Sequence, residues 1–158
     1  MRPERLLADE MLGRLARYLR FVGCDTAYAR DRTDDEIVRW AATEGRFLLT
    51  RDRALARRVP ESLWIRSPGI EGQWREVRTR CTDLPTHVRF ARCTRCNGEV
   101  RPVVPPPTDG GPIGLPVERI AAGLPVYRCD ACGHLYWAGS HSSDVQRRID
   151  RWATEGGE

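Results

Sequence analysis

Over residues 1–80 the apolar positions follow two periods in turn. Arg5-Leu6-Leu7-Ala8 is a short apolar run ending at Asp9; Leu12, Leu15, Ala16 and Leu19 then share one helical face within residues 10–22, before Gly23. Thr26 to Ala29 reads as a second strand. Thr33-x-x-Glu36 has the form of a capping box and opens a helix carrying Ile37, Val38, Ala41 and Ala42, closed by Gly45. Phe47-Leu48-Leu49-Thr50 is a compact buried-strand pattern, followed by Arg51-Asp52 and a short helix over residues 53–58. Ser62 to Arg66 reads as a fourth strand and residues 70–80 as a helix. Short strands alternating with helices predict an α/β fold, a parallel sheet with helices on its faces.

Residues 81–90 form a junction, and beyond it the texture changes. Residues 102–125 are rich in Pro and Gly, including Pro105-Pro106-Pro107 and Gly110-Gly111-Pro112, which excludes a long helix or a central strand there. Residues 142–153 read as a final amphipathic helix. Inside this second part lie two C-x-x-C pairs, Cys93-Thr94-Arg95-Cys96 and Cys129-Asp130-Ala131-Cys132. Two such turns bring four thiolates into a tetrahedron, the donor set of a closed structural zinc site. Gly98 and Gly133 follow the turns where tight backbone is needed. A thioredoxin-like redox pair is the competing reading; the doubled motif, with neither pair beside a β-α-β unit, favours zinc. Cys24 and Cys81 read as buried apolar cysteines.

Composition narrows the class. With 158 residues, 41% hydrophobic, and a formal net charge of +4, the chain suits one small α/β domain plus a minidomain rather than a disordered protein. No apolar run approaches the roughly 20 residues a bilayer needs, and Met1 to Ala8 lacks the apolar stretch of a signal peptide. A soluble, cytoplasmic protein is the default expectation. Every Lys/Arg position is Arg, a side chain whose planar fork suits phosphate. The second part is not itself strongly basic, since nine arginines oppose eight acids between residues 89 and 158.

In parallel α/β sheets, sites form beyond the carboxyl ends of the strands. Asp9 follows the first strand, Asp52 follows the third, and Asp34, Asp35 and Glu36 open the helix after the second. If the first and third strands are neighbours, Asp9 and Asp52 enter one crevice. Clustered carboxylates repel one another, and a divalent cation relieves that penalty; oxygen ligands favour Mg²⁺ or Mn²⁺, ions that activate water at phosphorus. The same acids also suit helix capping and the helix dipole, so both readings stand. Arg14, Arg17 and Arg51 are spaced either to hold a polyanion or to pair with neighbours such as Glu10. Tyr136 and Trp137 suit packing on the cysteine unit. With His141 they also suit base stacking or phosphate contact; His134 reads as a surface neighbour of the thiolates.

Residues 7–20, Leu7-Ala8-Asp9-Glu10-Met11-Leu12-Gly13-Arg14-Leu15-Ala16-Arg17-Tyr18-Leu19-Arg20, resemble the opening motif of the Mut-seven C-terminal RNase domain family. Gly23-Cys24-Asp25-Thr26, Asp34-Asp35-Glu36, Gly45 to Asp52, and Cys129-x-x-Cys132-Gly133-His134-Leu135-Tyr136-Trp137-x-Gly139-Ser140-His141 resemble its later motifs in order. The resemblance spans roughly residues 5–145. It implies a PIN-like nuclease domain at residues 1–85, joined to a zinc ribbon at residues 89–158 with a Pro/Gly-rich insertion and C-terminal helix. It implies RNA as substrate and Mg²⁺ or Mn²⁺ held by Asp9, Asp52 and one or both of Asp34 and Asp35, with Asp31 and Glu36 as weaker positions. Zn²⁺ would sit on Cys93, Cys96, Cys129 and Cys132, and Arg14, Arg17, Arg51 and His141 would meet the strand. A non-catalytic RNA- or ribosome-binding module and a protein–protein adaptor are the rival expectations.

Overall fold

The computed structural model describes residues 5–103 and 117–154. Four short strands, β1 (Arg5–Asp9), β2 (Asp25–Ala29), β3 (Phe47–Thr50) and β4 (Ser62–Trp64), form a wholly parallel sheet in the order β2-β1-β3-β4. The helices between them are α1 (Gly13–Phe21), α2 (Asp34–Glu44) and α3 (Arg53–Arg58), with α4 (Ile70–Arg80) following β4. Both faces of the sheet are covered, so its central strands are apolar on both sides. Leu6, Ala8, Phe47 and Leu49 face one core with Leu15 and Leu19 of α1 and Trp74 and Val77 of α4. Leu7, Ala27, Ala29 and Leu48 face a second with Ile37 and Ala41 of α2 and Leu55 of α3.

Local signals set the helix ends. Thr33 and Glu36 form the expected capping box on α2, and Gly45 ends it in the left-handed conformation at φ 60°. The segment expected to be one helix over residues 10–22 instead begins as a 3₁₀ turn, Glu10–Leu12, before α1. Strand β4 stops at Trp64 rather than Arg66. Its neighbour β3 ends at Thr50, the register partner of Trp64, and the backbone N–H groups of Arg66 and Ser67 donate to the Glu76 carboxylate instead.

The second part is a three-stranded antiparallel sheet in the order β5-β6-β7, formed by β5 (Val100–Pro102), β6 (Tyr127–Cys129) and β7 (Leu135–Tyr136). A short helix α5 (Val117–Ala121) precedes β6. Pro105-Pro106-Pro107 and Gly110-Gly111-Pro112 lie outside the described residues. Cys93, Val100 and Cys129 form a small core against Phe90, Tyr127 and Tyr136. Helix α6 (Ser140–Thr154), grouped with this part by its place in the sequence, sends Val145, Ile149 and Trp152 into the larger core of the first sheet. The Trp152 ring lies 4.8 Å from that of Tyr18 and 6.0 Å from that of Trp74.

The two parts are joined at the amino end of the parallel sheet. Arg20 of α1 is buried, donating to the carbonyl of Thr26 at 2.8 Å and to those of Thr94 and Arg95 at 3.2 and 3.4 Å. Asn97 accepts from the Thr26 N–H at 2.9 Å and donates to Asp25 at 2.7 Å, and Arg46 donates to the same Asp25 oxygen at 2.8 Å. Burial alone would push the Asp25 carboxyl up, but the Arg46 and Asn97 hydrogen bonds outweigh it and hold the group below its ordinary range.

Two outcomes check this architecture. Ile149→Ala removes a fully buried side chain and should cost about 2–4 kcal/mol in urea unfolding, in one transition that also reports the first sheet. Asp25 has a depressed folded pKa, so its contribution is complete above its unfolded value near about 4 and fades as pH falls through the folded value. Asp25→Asn should therefore unfold with a flatter acid limb than the wild type, read by circular dichroism.

Candidate functional site

The four cysteines meet. Their Sγ atoms all lie within 4.8 Å of one another, with Cys93 and Cys132 at 3.6 Å and Cys96 and Cys129 at 3.5 Å. Four sulfurs about 2.3 Å from a tetrahedral zinc would stand about 3.8 Å apart, so the donor set fits Zn²⁺, and none of the six cysteines is in a disulfide. The N–H of Gly98 points at Cys96 Sγ and that of Cys132 at Cys129 Sγ. A Cβ at Gly98 would fall 2.8 Å from the Ala131 methyl and 2.9 Å from Cys129 Sγ, so only glycine lets the first turn close on the second. Tyr136 holds its hydroxyl 3.0 Å from Cys93 Sγ while accepting the Thr94 N–H at 3.0 Å. Burial opposes the Cys93 thiolate, yet the Tyr136 bond and neighbouring N–H groups draw it down to about 6. Burial and the adjacent sulfurs push Cys96 up to about 12. Four sulfurs cannot all ionise together without a cation, and a bound divalent metal deprotonates its thiols outright.

The acids lie at the opposite, carboxyl end of the parallel sheet. Strands β1 and β3 are neighbours, as the crevice argument requires, and Thr50, the last residue of β3, joins Asp9, which ends β1, to Asp52, two residues beyond β3. Its hydroxyl donates to Asp9 Oδ2 at 2.7 Å and accepts the Asp52 backbone N–H at 2.9 Å. Thr50 has no exposure to solvent. It was invisible as a site residue in the sequence, where a threonine closing an apolar run is ordinary strand chemistry; only the register brings its hydroxyl to Asp9. The other oxygen of Asp9 accepts the Glu10 N–H at 2.7 Å, and Asp52 Oδ1 caps α3 through Ala54 and Leu55 at 2.7 and 3.1 Å.

Asp34 and Asp35 open α2 on the same face of the sheet as Thr50 and are exposed. Arg58, in the last turn of α3, lies 3.9 Å from Asp34 and hydrogen-bonds Asp35, holding the Asp35 carboxyl below its ordinary range. Glu36 is committed to the capping box, which likewise lowers it. Asp31 pairs with Arg30 at 3.6 Å. Among the described residues, the four thiolates are the one set of three or more Cys, His, Asp or Glu donors within 4.8 Å of one another; the four acids do not close to that distance.

Arg14 and Arg17 are exposed on α1. The Glu10–Arg14 pair allowed by their spacing is not formed among the described residues, because Glu10 belongs to the 3₁₀ turn and the four-residue interval is not helical throughout. Arg51 is half-buried, and among the described residues its Nε has no hydrogen-bond partner. His141 sets its ring edge against Phe21 at 5.6 Å, in a groove of about 320 Å³ that also meets Arg17, Tyr136 and Trp137. His134 lies on the ribbon surface, its Nδ1 3.2 Å from Arg95. Cys81 is buried, which pushes its thiol up; Cys24 is half-buried beside the larger core. Among the described residues no helix is long and apolar enough to cross a membrane.

A family model described as the Mut7-C RNAse domain matches residues 4–149, nearly the whole chain. No curated protein and no solved structure matches it.

The close approach at Gly98 yields a direct check. Gly98→Ala should bind zinc roughly tenfold more weakly than the wild type in chelator competition, the scale of a lost supporting contact.

Proposed function

The chain belongs to the Mut7-C RNAse domain family, which makes its function ribonuclease-like, and on that premise we propose that it hydrolyses RNA phosphodiester bonds at a Mg²⁺- or Mn²⁺-dependent acidic site. We assign the chemistry to a PIN-like domain over residues 1–85 and strand gripping to the zinc ribbon of residues 89–158. The observation that carries this reading is the Thr50 hydroxyl shared between Asp9 and the backbone of Asp52. It sits at the carboxyl edge of adjacent parallel strands, where α/β sheets place their ligands.

Asp9 and Asp52 would hold the catalytic ion, with Asp34 or Asp35 completing its ligands. When bound, it would supply an activated water and neutralise charge at the phosphate. Thr50 fixes the Asp9 carboxylate by donating to one oxygen, which leaves further lone pairs of that oxygen available. Arg58 neutralises Asp34 and Asp35 while no cation does so, and its release toward the RNA backbone would free them. Arg14, Arg17 and Arg51 steer and hold phosphates, and His141 meets the strand at the ribbon side of α1. Zn²⁺ on the four cysteines is architectural. Thiolates kept free for a metal suit a reducing compartment such as the cytoplasm.

One observation favours a second reading, a non-catalytic RNA-binding module. Asp52 already caps α3, and Asp34 and Asp35 already pair with Arg58. Cleavage separates the two. Zinc-loaded protein should cut single-stranded RNA only when Mg²⁺ or Mn²⁺ is added, and an Asp9→Asn, Asp52→Asn double variant should lose at least about a hundredfold of that rate, a loss typical of disabled metal-assisted hydrolysis. Undiminished cutting by the double variant would remove the assigned acids. Absence of any cutting by the wild type, with RNA still bound, would favour the binding module.

A further inference from the structure

The chain has five tryptophans, four of them buried or half-buried and one that stands out. Trp74 and Trp152 are core residues and Trp40 and Trp137 are half-buried, whereas Trp64 keeps 37% of its surface in water. It is the last residue of the edge strand β4 and the register partner of Thr50. Neighbouring strands are about 4.8 Å apart, so Trp64 stands one strand spacing from the residue that holds Asp9. Its ring is oriented rather than free: the indole N–H donates to the Arg51 carbonyl at 3.2 Å. Two guanidiniums lie against the ring, Arg53 at 5.1 Å and Arg66 at 5.8 Å from its centroid.

An exposed, fixed aromatic ring flanked by cations has a chemical match in single-stranded nucleic acid, whose bases stack on aromatic faces and whose phosphates seek arginine. The geometry points to Trp64 as a nucleobase platform, with Arg53 and Arg66 taking the phosphates on either side of the stacked base. This rests on the reading of Asp9 and Asp52 as the cleavage site and extends it, placing the base next to the scissile phosphate on the β4 side of the crevice. A base sliding onto the indole displaces one guanidinium from the ring, and that arginine turns to the adjacent phosphate. Stacking is tolerant of base identity, so the platform sets the register of the strand without specifying its sequence. The bland competitor is that Trp64 and its arginines merely blunt an edge strand, a role that calls for no RNA.

The test is binding of a short single-stranded oligoadenylate to the full zinc-loaded chain, by fluorescence anisotropy without added Mg²⁺ or Mn²⁺, so that no cleavage is needed. A matching set of oligonucleotides carries one abasic position, moved along the strand. Trp64→Ala should raise Kd about tenfold, the order of one lost base–aromatic stack, while Trp64→Phe keeps most of the affinity. For wild type, one abasic position should cost a similar factor; for Trp64→Ala that position should cost little. Circular dichroism of the variants reports folding, and if the Ala variant does not fold, Trp64→Leu, which keeps apolar bulk but lacks the ring, carries the same expected loss of about tenfold. Equal binding of intact RNA by wild type and Trp64→Ala, or an abasic penalty unchanged in the variant, would overturn the platform and leave the acidic site standing. Normal binding effects at Trp64 in a protein that never cuts would overturn the cleavage reading while retaining the platform. No RNA binding by the wild-type chain would overturn both.

Discussion

Arg20 holds its charge almost out of reach of water, bonded among the described residues to three carbonyl oxygens. Burial makes that charge costly and lowers the group's pKa, but the thiolates of Cys93 and Cys96 and the carboxylate of Asp25 act in the opposite sense. A zinc ion held by four thiolates would carry two net negative charges, so a filled site would deepen the field in which a buried guanidinium is tolerable. The exchange is mutual. Arg20 fixes the carbonyls of Thr94 and Arg95 inside the first cysteine turn, and Asn97 clips the same turn to the edge of β2. The placement of the ribbon on the sheet thus depends on electrostatics at one point, with apolar packing by α6 at another.

The parallel sheet therefore divides its labour by polarity. Its amino end is closed by Arg20, Asp25, Arg46 and Asn97, a network in which nearly every charge is answered. Its carboxyl end carries Asp9, Thr50 and Asp52 with exposed Asp34 and Asp35 across from Arg58. Exposed acids answered by one exposed arginine form an arrangement open to solvent, with its charges within reach of other ions. The buried network at the other end is not of that kind.

Local signals made much of the fold legible. Alternating apolar periods, the Thr33 and Glu36 box, and the glycine at position 45 each act within a few residues, and the doubled C-x-x-C spacing carries its own geometry. What was hidden is long-range. Arg20 follows Arg17 by three residues and has the look of another surface cation; its burial depends on residues more than seventy positions away. Thr50 needed strand register, and the Arg58 bridge to Asp34 and Asp35 needed the packing of α3 beside α2. Trp64 looked like one more apolar strand residue, because a sequence does not say which strand will lie at the edge. The apolar stripe of α6 was readable, but not which core it would enter.

That last destination bears on how the molecule is made. The larger core draws on Leu15, Tyr18 and Trp74 from the first half of the chain and on Val145, Ile149 and Trp152 from its end. During synthesis, at about 5–20 residues per second, the sheet and its first helices emerge several seconds before α6 does. In that interval the apolar surface of α1 and α4 that Val145, Ile149 and Trp152 later cover is bare. The chain order thus leaves the larger core open at one side until its last helix is made, so the fold of the first half is completed only by the end of the chain.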